Sequence, residues 1–131
     1  MANYLLDTNI LIYQLRGNPT VSSLLLDLNQ RGALAISAIT RAEILAGMRP
    51  NEETVTLNLL DALLNLPLEA AVADRAGRLI YQYHRQGVQL SIADALIGAT
   101  ALEHHLTLVT TNAKHFPMPE LQLYLVEQGR L

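Results

Sequence analysis

The sequence predicts an α/β fold built on a short, mainly parallel central sheet. Three observations carry that expectation. Apolar runs of strand length alternate with stretches of helical pattern, the arrangement that buries parallel strands under helices. Half of the 131 residues are hydrophobic, enough for one sizeable core and too many for a disordered chain. No internal repeat, low-complexity tract or Pro/Gly-rich linker divides the sequence, so residues 1–131 read as a single domain.

The run Asn3-Tyr4-Leu5-Leu6, ending at Asp7, suits a first buried strand. Ile10 to Leu15 has helical character and is closed by Gly17; Pro19 then opens a second helix that runs through Gln30 and stops before Gly32. Ala33 to Ser37 is a second short apolar segment with the length of a strand. Thr40 is expected to begin a helix that ends near Gly47, with Pro50 marking the next boundary. Asn51 to Asn65 reads as one helix, apolar on more than one face through Val55, Leu57, Leu59, Leu60, Leu63 and Leu64. It is therefore expected to pack on two sides. Beyond Pro67, Val72, Ala76, Leu79 and Tyr83 recur at helical spacing, opposite Arg75, Arg78, Gln82 and Arg85, and Gly87 ends that helix. Ser91 starts a nearly all-apolar helix from Ile92 to about His104. Leu106–Val109 and Leu121–Val126 complete the expected strands. In such folds a site belongs outside the carboxyl ends of the strands, near a switch in strand order.

Composition narrows the chemistry. Cysteine is absent, which excludes a disulfide scaffold, a thiol nucleophile and a Cys-based metal site. Nine basic against twelve acidic residues give a net charge of −3 and a pI near 5.7. That balance opposes non-specific coating of nucleic acid, while leaving room for an enzyme that meets it through a local basic patch and bound cations. No window approaches the ~18 uncharged apolar residues of a membrane span. The N-terminus lacks a basic region before an apolar run, so a cytoplasmic protein without a membrane segment or signal peptide is expected.

Three acidic residues sit in apolar surroundings. Asp7 ends the first strand, Glu43 lies in Ser-Ala-Ile-Thr-Arg-Ala-Glu-Ile-Leu-Ala-Gly, and Asp94 lies in Ser-Ile-Ala-Asp-Ala-Leu-Ile-Gly. Such charges must be paired, hydrogen-bonded or metal-bound. Singly, each fits helix capping. Thr40–Glu43 and Ser91–Asp94 match the capping box, and Asp7-Thr-Asn9 suits an Asx turn. Together they fall at strand ends or first helical turns on one edge of a parallel sheet. Converging carboxylates repel unless a cation lies between them, and an all-oxygen set suits Mg²⁺ or Mn²⁺.

Four motifs in series, Leu-Asp-Thr-Asn, Ile-Ser-Ala-Ile-Thr-Arg-Ala-Glu-Ile-Leu-Ala-Gly, Asp-Ala-Leu-Ile-Gly-Ala-Thr-Ala and Leu-Val-Thr-Thr-Asn-Ala-Lys-His-Phe, resemble the PIN-domain nucleases, and within them the VapC-like toxins of bacterial toxin–antitoxin pairs. The resemblance covers nearly the whole chain. It implies a three-layer α/β/α fold and a Mg²⁺/Mn²⁺-dependent endoribonuclease, dimeric and inhibited by a cognate antitoxin. By position, Asp7, Glu43 and Asp94 match the acidic ligands. The fourth position falls on Asn112, which brings an amide oxygen but no charge, so one well-held ion is expected rather than two. Thr8, Asn9, Thr40 and Thr110 match polar positions that orient carboxylates or waters in that family, where ordinary capping is the competing explanation.

The ligand types imply hydrolysis by an activated water, with Glu43 or Asp94 taking its proton, leaving a 5′-phosphate and a 3′-hydroxyl. A metal-free ribonuclease would use histidines instead. His104, His105 and His115 are expected near the site end of the sheet, yet His104 and His105 diverge by about 100° on a helix and cannot form a facing pair. Lys114 and His115 are placed to contact phosphate, as is Arg41, which could otherwise neutralise the carboxylates. The Arg75, Arg78, Gln82 and Arg85 stripe could track an RNA backbone, but reads first as a solvated face. Surplus apolar surface on the helices around Leu11–Leu28 and Leu45–Leu64 predicts a homodimer, and the resemblance implies an antitoxin helix or tail in a groove between these helices. Two alternatives stand beside the nuclease: an inactive binding or regulatory module of the same fold, and a phosphotransfer protein using Asp7. The second lacks the further acid such proteins need, since Asn9 stands two residues after Asp7.

Overall fold

The computed structural model describes residues 2–131. Among them five strands form one parallel sheet in the order β3-β2-β1-β4-β5. The chain runs through β1 (Ala2–Leu6), α1 (Thr8–Leu15), α2 (Pro19–Arg31), β2 (Ala33–Ser37), α3 (Ala38–Gly47), α4 (Glu53–Ala62) and β3 (Leu64–Leu66). It continues through α5 (Ala70–Arg85), α6 (Ile92–Glu103), β4 (Thr107–Thr110) and β5 (Leu123–Leu125). Single 3₁₀ turns lie at Pro50–Glu52, Ala113–His115 and Gln128–Arg130.

Alternation along the strands builds the three layers. Leu5, Ala35 and Leu108 face one side of the sheet, where Val72, Ala76, Leu79 and Tyr83 of α5 pack with Ala95, Ile97 and Ala99 of α6. Their neighbours Leu6, Ile36 and Val109 face the other side, against Ile10, Leu11, Val21, Leu25, Leu28 and Leu60. Each central strand is thus covered on both faces, which is why these runs are almost wholly apolar. Gly17 and Gly87, at φ +75° and +76°, turn the chain out of α1 and α5 through the left-handed region that glycine reaches without strain.

The expected architecture is present, with differences that have local causes. The sheet is entirely parallel, not only mainly so. The helix expected over Asn51–Asn65 is shorter, and its end is β3, because Leu64, Asn65 and Leu66 pair with Ala35, Ile36 and Ser37. A three-residue strand carries no period of its own, so only the edge of β2 defines it. Nor does α4 bury two faces: Thr56 and Leu60 are buried while Val55 is 63% exposed. The third helix begins before Thr40, at Ala38, because Ser37 is its cap; Ser37 Oγ accepts from the Ile39 amide at 3.2 Å. No helix of the described residues is long and apolar enough to cross a membrane.

After β1 the chain crosses to β2 on one side, whereas β4 lies on the other. The order therefore switches between β1 and β4. Asp7 follows β1 at that point and Thr110-Thr111-Asn112 follow β4 across from it.

Candidate active site

Asp7 is the buried centre of this edge, 6% exposed. Its amide donates to the Val109 carbonyl at 2.9 Å, extending the β1–β4 ladder by one residue and locking the side chain's origin. Both carboxylate oxygens are engaged: Oδ1 accepts from the Thr8 amide at 2.8 Å, and Oδ2 accepts from Thr110 Oγ1 at 2.7 Å. Asp7 is therefore the cap of α1, as the capping alternative expected, but capping leaves its charge unanswered. Burial pushes its carboxyl above the ordinary value, the two hydrogen bonds offset part of that, and repulsion from Asp94 and Glu43 adds to it.

Glu43 stands on α3 facing α1. Thr8 Oγ1 donates to its Oε1 at 2.7 Å and lies 3.1 Å from Thr40 Oγ1, which is fully buried. A hydroxyl has one proton, so with that proton on Glu43, Thr8 accepts from Thr40. The Thr40–Glu43 capping box does not form: Ser37 caps the helix, and Thr40 lies inside it, aimed at α1. The Ser91–Asp94 box is half made. Ser91 Oγ accepts from the Asp94 amide at 3.1 Å, while the Asp94 carboxylate lies 3.4 Å from His115 Nδ1.

Among the described residues, neither Asp7 nor Glu43 has a lysine or arginine partner, and Asp94 has only the exposed His115. Asp94 and Glu43 both repel the Asp7 charge, and no lysine or arginine among the described residues pairs with any of the three; their hard oxygen donors are of the type that Mg²⁺ or Mn²⁺ takes. Among the described residues no three His, Asp or Glu side chains are grouped so that they could hold a metal ion by themselves. Asn112 closes the same edge; its amide donates to Thr110 Oγ1 at 3.0 Å, tying it to the hydroxyl that holds Asp7.

Other expected residues lie elsewhere. Arg41 does not pair with the carboxylates of the site; its guanidinium bonds Asn65 Oδ1 and Asp61 Oδ1, each at 3.0 Å. His104 and His105 are at the opposite end of the sheet from the carboxylates: they follow α6 and precede the start of β4, with His105 at φ 55°. Lys114 and His115 do flank the site, on the turn after Asn112, and both are exposed. Asn9 is half-buried on the first turn of α1. On α5, Arg75 pairs with Glu103 and Arg85 with the Tyr81 ring and hydroxyl, as a solvated face would. One residue was not anticipated: Thr111 Oγ1, between Thr110 and Asn112, is buried with no hydrogen-bond partner.

The PIN-domain family model matches residues 4–118. Ribonuclease VapC10 of Mycobacterium tuberculosis is 37% identical over 116 residues, covering 88% of this chain and 87% of its own. Ribonuclease VapC19 of the same organism is 37% identical over 120 residues, covering 90% and 96%. In structure, the chain resembles VapBC2 from Rickettsia felis, bound to a DNA fragment from its promoter, with a TM-score of 0.84 at 28% identity, covering 95% of this chain and 98% of that one.

Proposed function

The chain belongs to the PIN-domain family, and from that premise we propose that it is a metal-dependent endoribonuclease of the VapC kind, the toxin of a toxin–antitoxin pair. The observation that carries this reading is Asp7: a buried carboxylate that feels the charges of both Asp94 and Glu43, at the strand-order switch, with no lysine or arginine among the described residues to balance it.

Asp7, Glu43 and Asp94 hold Mg²⁺ or Mn²⁺, which when bound supplies Lewis-acid polarisation of a phosphodiester and acidifies water. The remaining tasks belong to the chain. Thr110 and the Thr8 amide orient Asp7, and the Thr40–Thr8 pair aims Glu43. Asp94 has its oxygens freest of protein hydrogen bonds and accepts the proton of the attacking water. Lys114 and His115 meet the phosphate from the β4 side, and Asn112 offers an uncharged oxygen that leaves the site with one firmly held ion. Cleavage leaves a 5′-phosphate and a 3′-hydroxyl, and a 2′-hydroxyl takes no part.

Partner binding rests on the opposite side of the sheet from α5 and α6. Leu26 is 70% and Leu64 48% exposed beside a cavity of about 570 Å³ whose walls include Leu25, Leu34, Leu59 and Leu63. This is the apolar surplus between the α2 and α4 regions, and we assign it to an antitoxin segment; the active species is a homodimer. The uncharged Asn112 favours one competitor, an inactive binding module. RNA cleavage in millimolar Mn²⁺ against EDTA, for wild type and Asp7→Ala, decides between them. Cleavage by wild type that EDTA and Asp7→Ala both abolish is expected; no cleavage of single-stranded, structured or tRNA-like RNA by folded wild type overturns the nuclease reading.

A further inference from the structure

The cations of this acidic chain are not spread evenly over its surface. Of its nine lysines and arginines, Arg31, Arg41, Arg75 and Arg130 are held by Asp27, Asp61, Glu103 and Glu127, and Arg85 lies against Tyr81. Among the described residues that leaves Arg16, Arg49, Arg78 and Lys114 without an acidic partner. Three of these four lie beside residues of the candidate site. Lys114 follows Asn112, while Arg16 and Arg49 line one cavity that also reaches Glu43.

That cavity, about 370 Å³, lies where the end of α1, the end of α3 and the Pro50–Glu52 turn meet. Ile12, Leu15, Ile44 and Met48 give it an apolar floor, and the two exposed guanidiniums stand at its wall. Its size is that of a small-ligand site. Neither of its two acids pairs with these arginines: Glu43 Oε1 accepts from the Thr8 hydroxyl, and Glu52 Oε1 from the Arg49 amide at 2.8 Å. Apolar floor with guanidiniums that have no acidic partner matches a nucleotide, whose base lies in apolar contact with the floor while its phosphates take the arginines.

We propose that the Arg16–Arg49 cavity is a nucleotide subsite that seats the RNA strand on the Glu43 side of the scissile phosphate, with Lys114 holding the strand on the other side. The proposal rests on the nuclease reading and gives it a direction: the strand runs from the α1–α3 cavity across the carboxylates to the turn after β4. Unpaired cations concentrated here, on a protein of net negative charge, would draw a single strand to this line and not to the α5 stripe.

The test is binding of a fluorescein-labelled single-stranded oligoribonucleotide of mixed sequence in EDTA, by anisotropy across a salt series. It uses the wild type, Arg16→Gln/Arg49→Gln, and Arg78→Gln as the α5 control, with Mn²⁺ cleavage run in parallel. The double variant should bind roughly tenfold more weakly, as two exposed phosphate contacts would give. Its slope of log affinity against log salt should be shallower by about 1.4. Arg78→Gln should match wild type in both. Wild type that cleaves RNA while the double variant keeps its affinity and slope overturns the subsite alone, and assigns the cavity to another ligand such as an acidic protein segment. A larger loss from Arg78→Gln than from the double variant moves the strand to α5 and also overturns it. Wild type that neither binds nor cleaves overturns the nuclease reading itself.

Discussion

Thr110 Oγ1 donates to Asp7 Oδ2 at 2.7 Å across 103 residues of chain, a buried bond that joins the ends of β4 and β1 at the strand-order switch. The same hydroxyl accepts the Asn112 amide, so one threonine organises two site positions. Thr110→Val fills the same volume but leaves a buried carboxylate oxygen and an amide without a partner. The expected cost is about 1–3 kcal/mol in urea unfolding, with Thr110→Ser recovering most of it. A valine variant as stable as wild type would show that the bond contributes nothing.

Asp7 makes stability depend on pH in an unusual direction. Burial, with repulsion from Asp94 and Glu43, raises its carboxyl above the ordinary value. A raised carboxyl in the folded state contributes stability that is complete below about pH 4, the unfolded value, and is lost as pH rises through the folded value. Asp7→Asn abolishes that loss and keeps an acceptor for the Thr8 amide. In EDTA the variant should therefore gain on wild type as pH climbs from 3 toward neutrality. Urea melts at each pH give the comparison, and a wild type that gains on the variant instead would reverse the assigned cause.

Asp94 separates capping from metal binding. Its amide, not its carboxylate, uses the Ser91 cap, so Asp94→Asn leaves the cap intact. The variant loses a favourable charge in the first turn of α6 but also relieves repulsion with Asp7. In EDTA its stability should lie within about 0.5 kcal/mol of wild type. Saturating Mn²⁺ should stabilise wild type by about 2.7 kcal/mol at a hundredfold excess over Kd, and the variant by much less. An equal response of both proteins to Mn²⁺ removes Asp94 from the ligand set.

Arg41 is expected to matter to stability and not to chemistry, since it ties α3 to Asp61 at the end of α4 and to Asn65 in β3. Its partner Asp61 is exposed, so Arg41→Met should cost no more than about 1 kcal/mol. RNA cleavage by the folded variant should stay within about twofold in kcat/KM. A large loss of cleavage without loss of stability would return Arg41 to the substrate.

Local rules were enough for much of this. The left-handed stops at Gly17 and Gly87, the buried face Val72-Ala76-Leu79-Tyr83 of α5, and the apolar strands around Leu5, Ile36 and Leu108 follow from period and backbone chemistry within a few residues. The acids Asp7, Glu43 and Asp94 stood out because a charge in an apolar run needs a partner, and an α/β alternation sends strand ends to one edge. What those runs do not encode is which distant group faces which. Thr40 read as a helix start and proved to be a buried link to Thr8, 32 residues away; Arg41 read as a phosphate contact and is taken by Asp61 on α4. The strand Leu64–Leu66 exists because β2 offers it an edge, and His104 and His105 lie far from the site because α6 returns to the start of β4. Caps and periods are decided by neighbours in sequence, whereas hydrogen-bond partners between elements are decided by packing and sheet register, which are properties of the assembled layers.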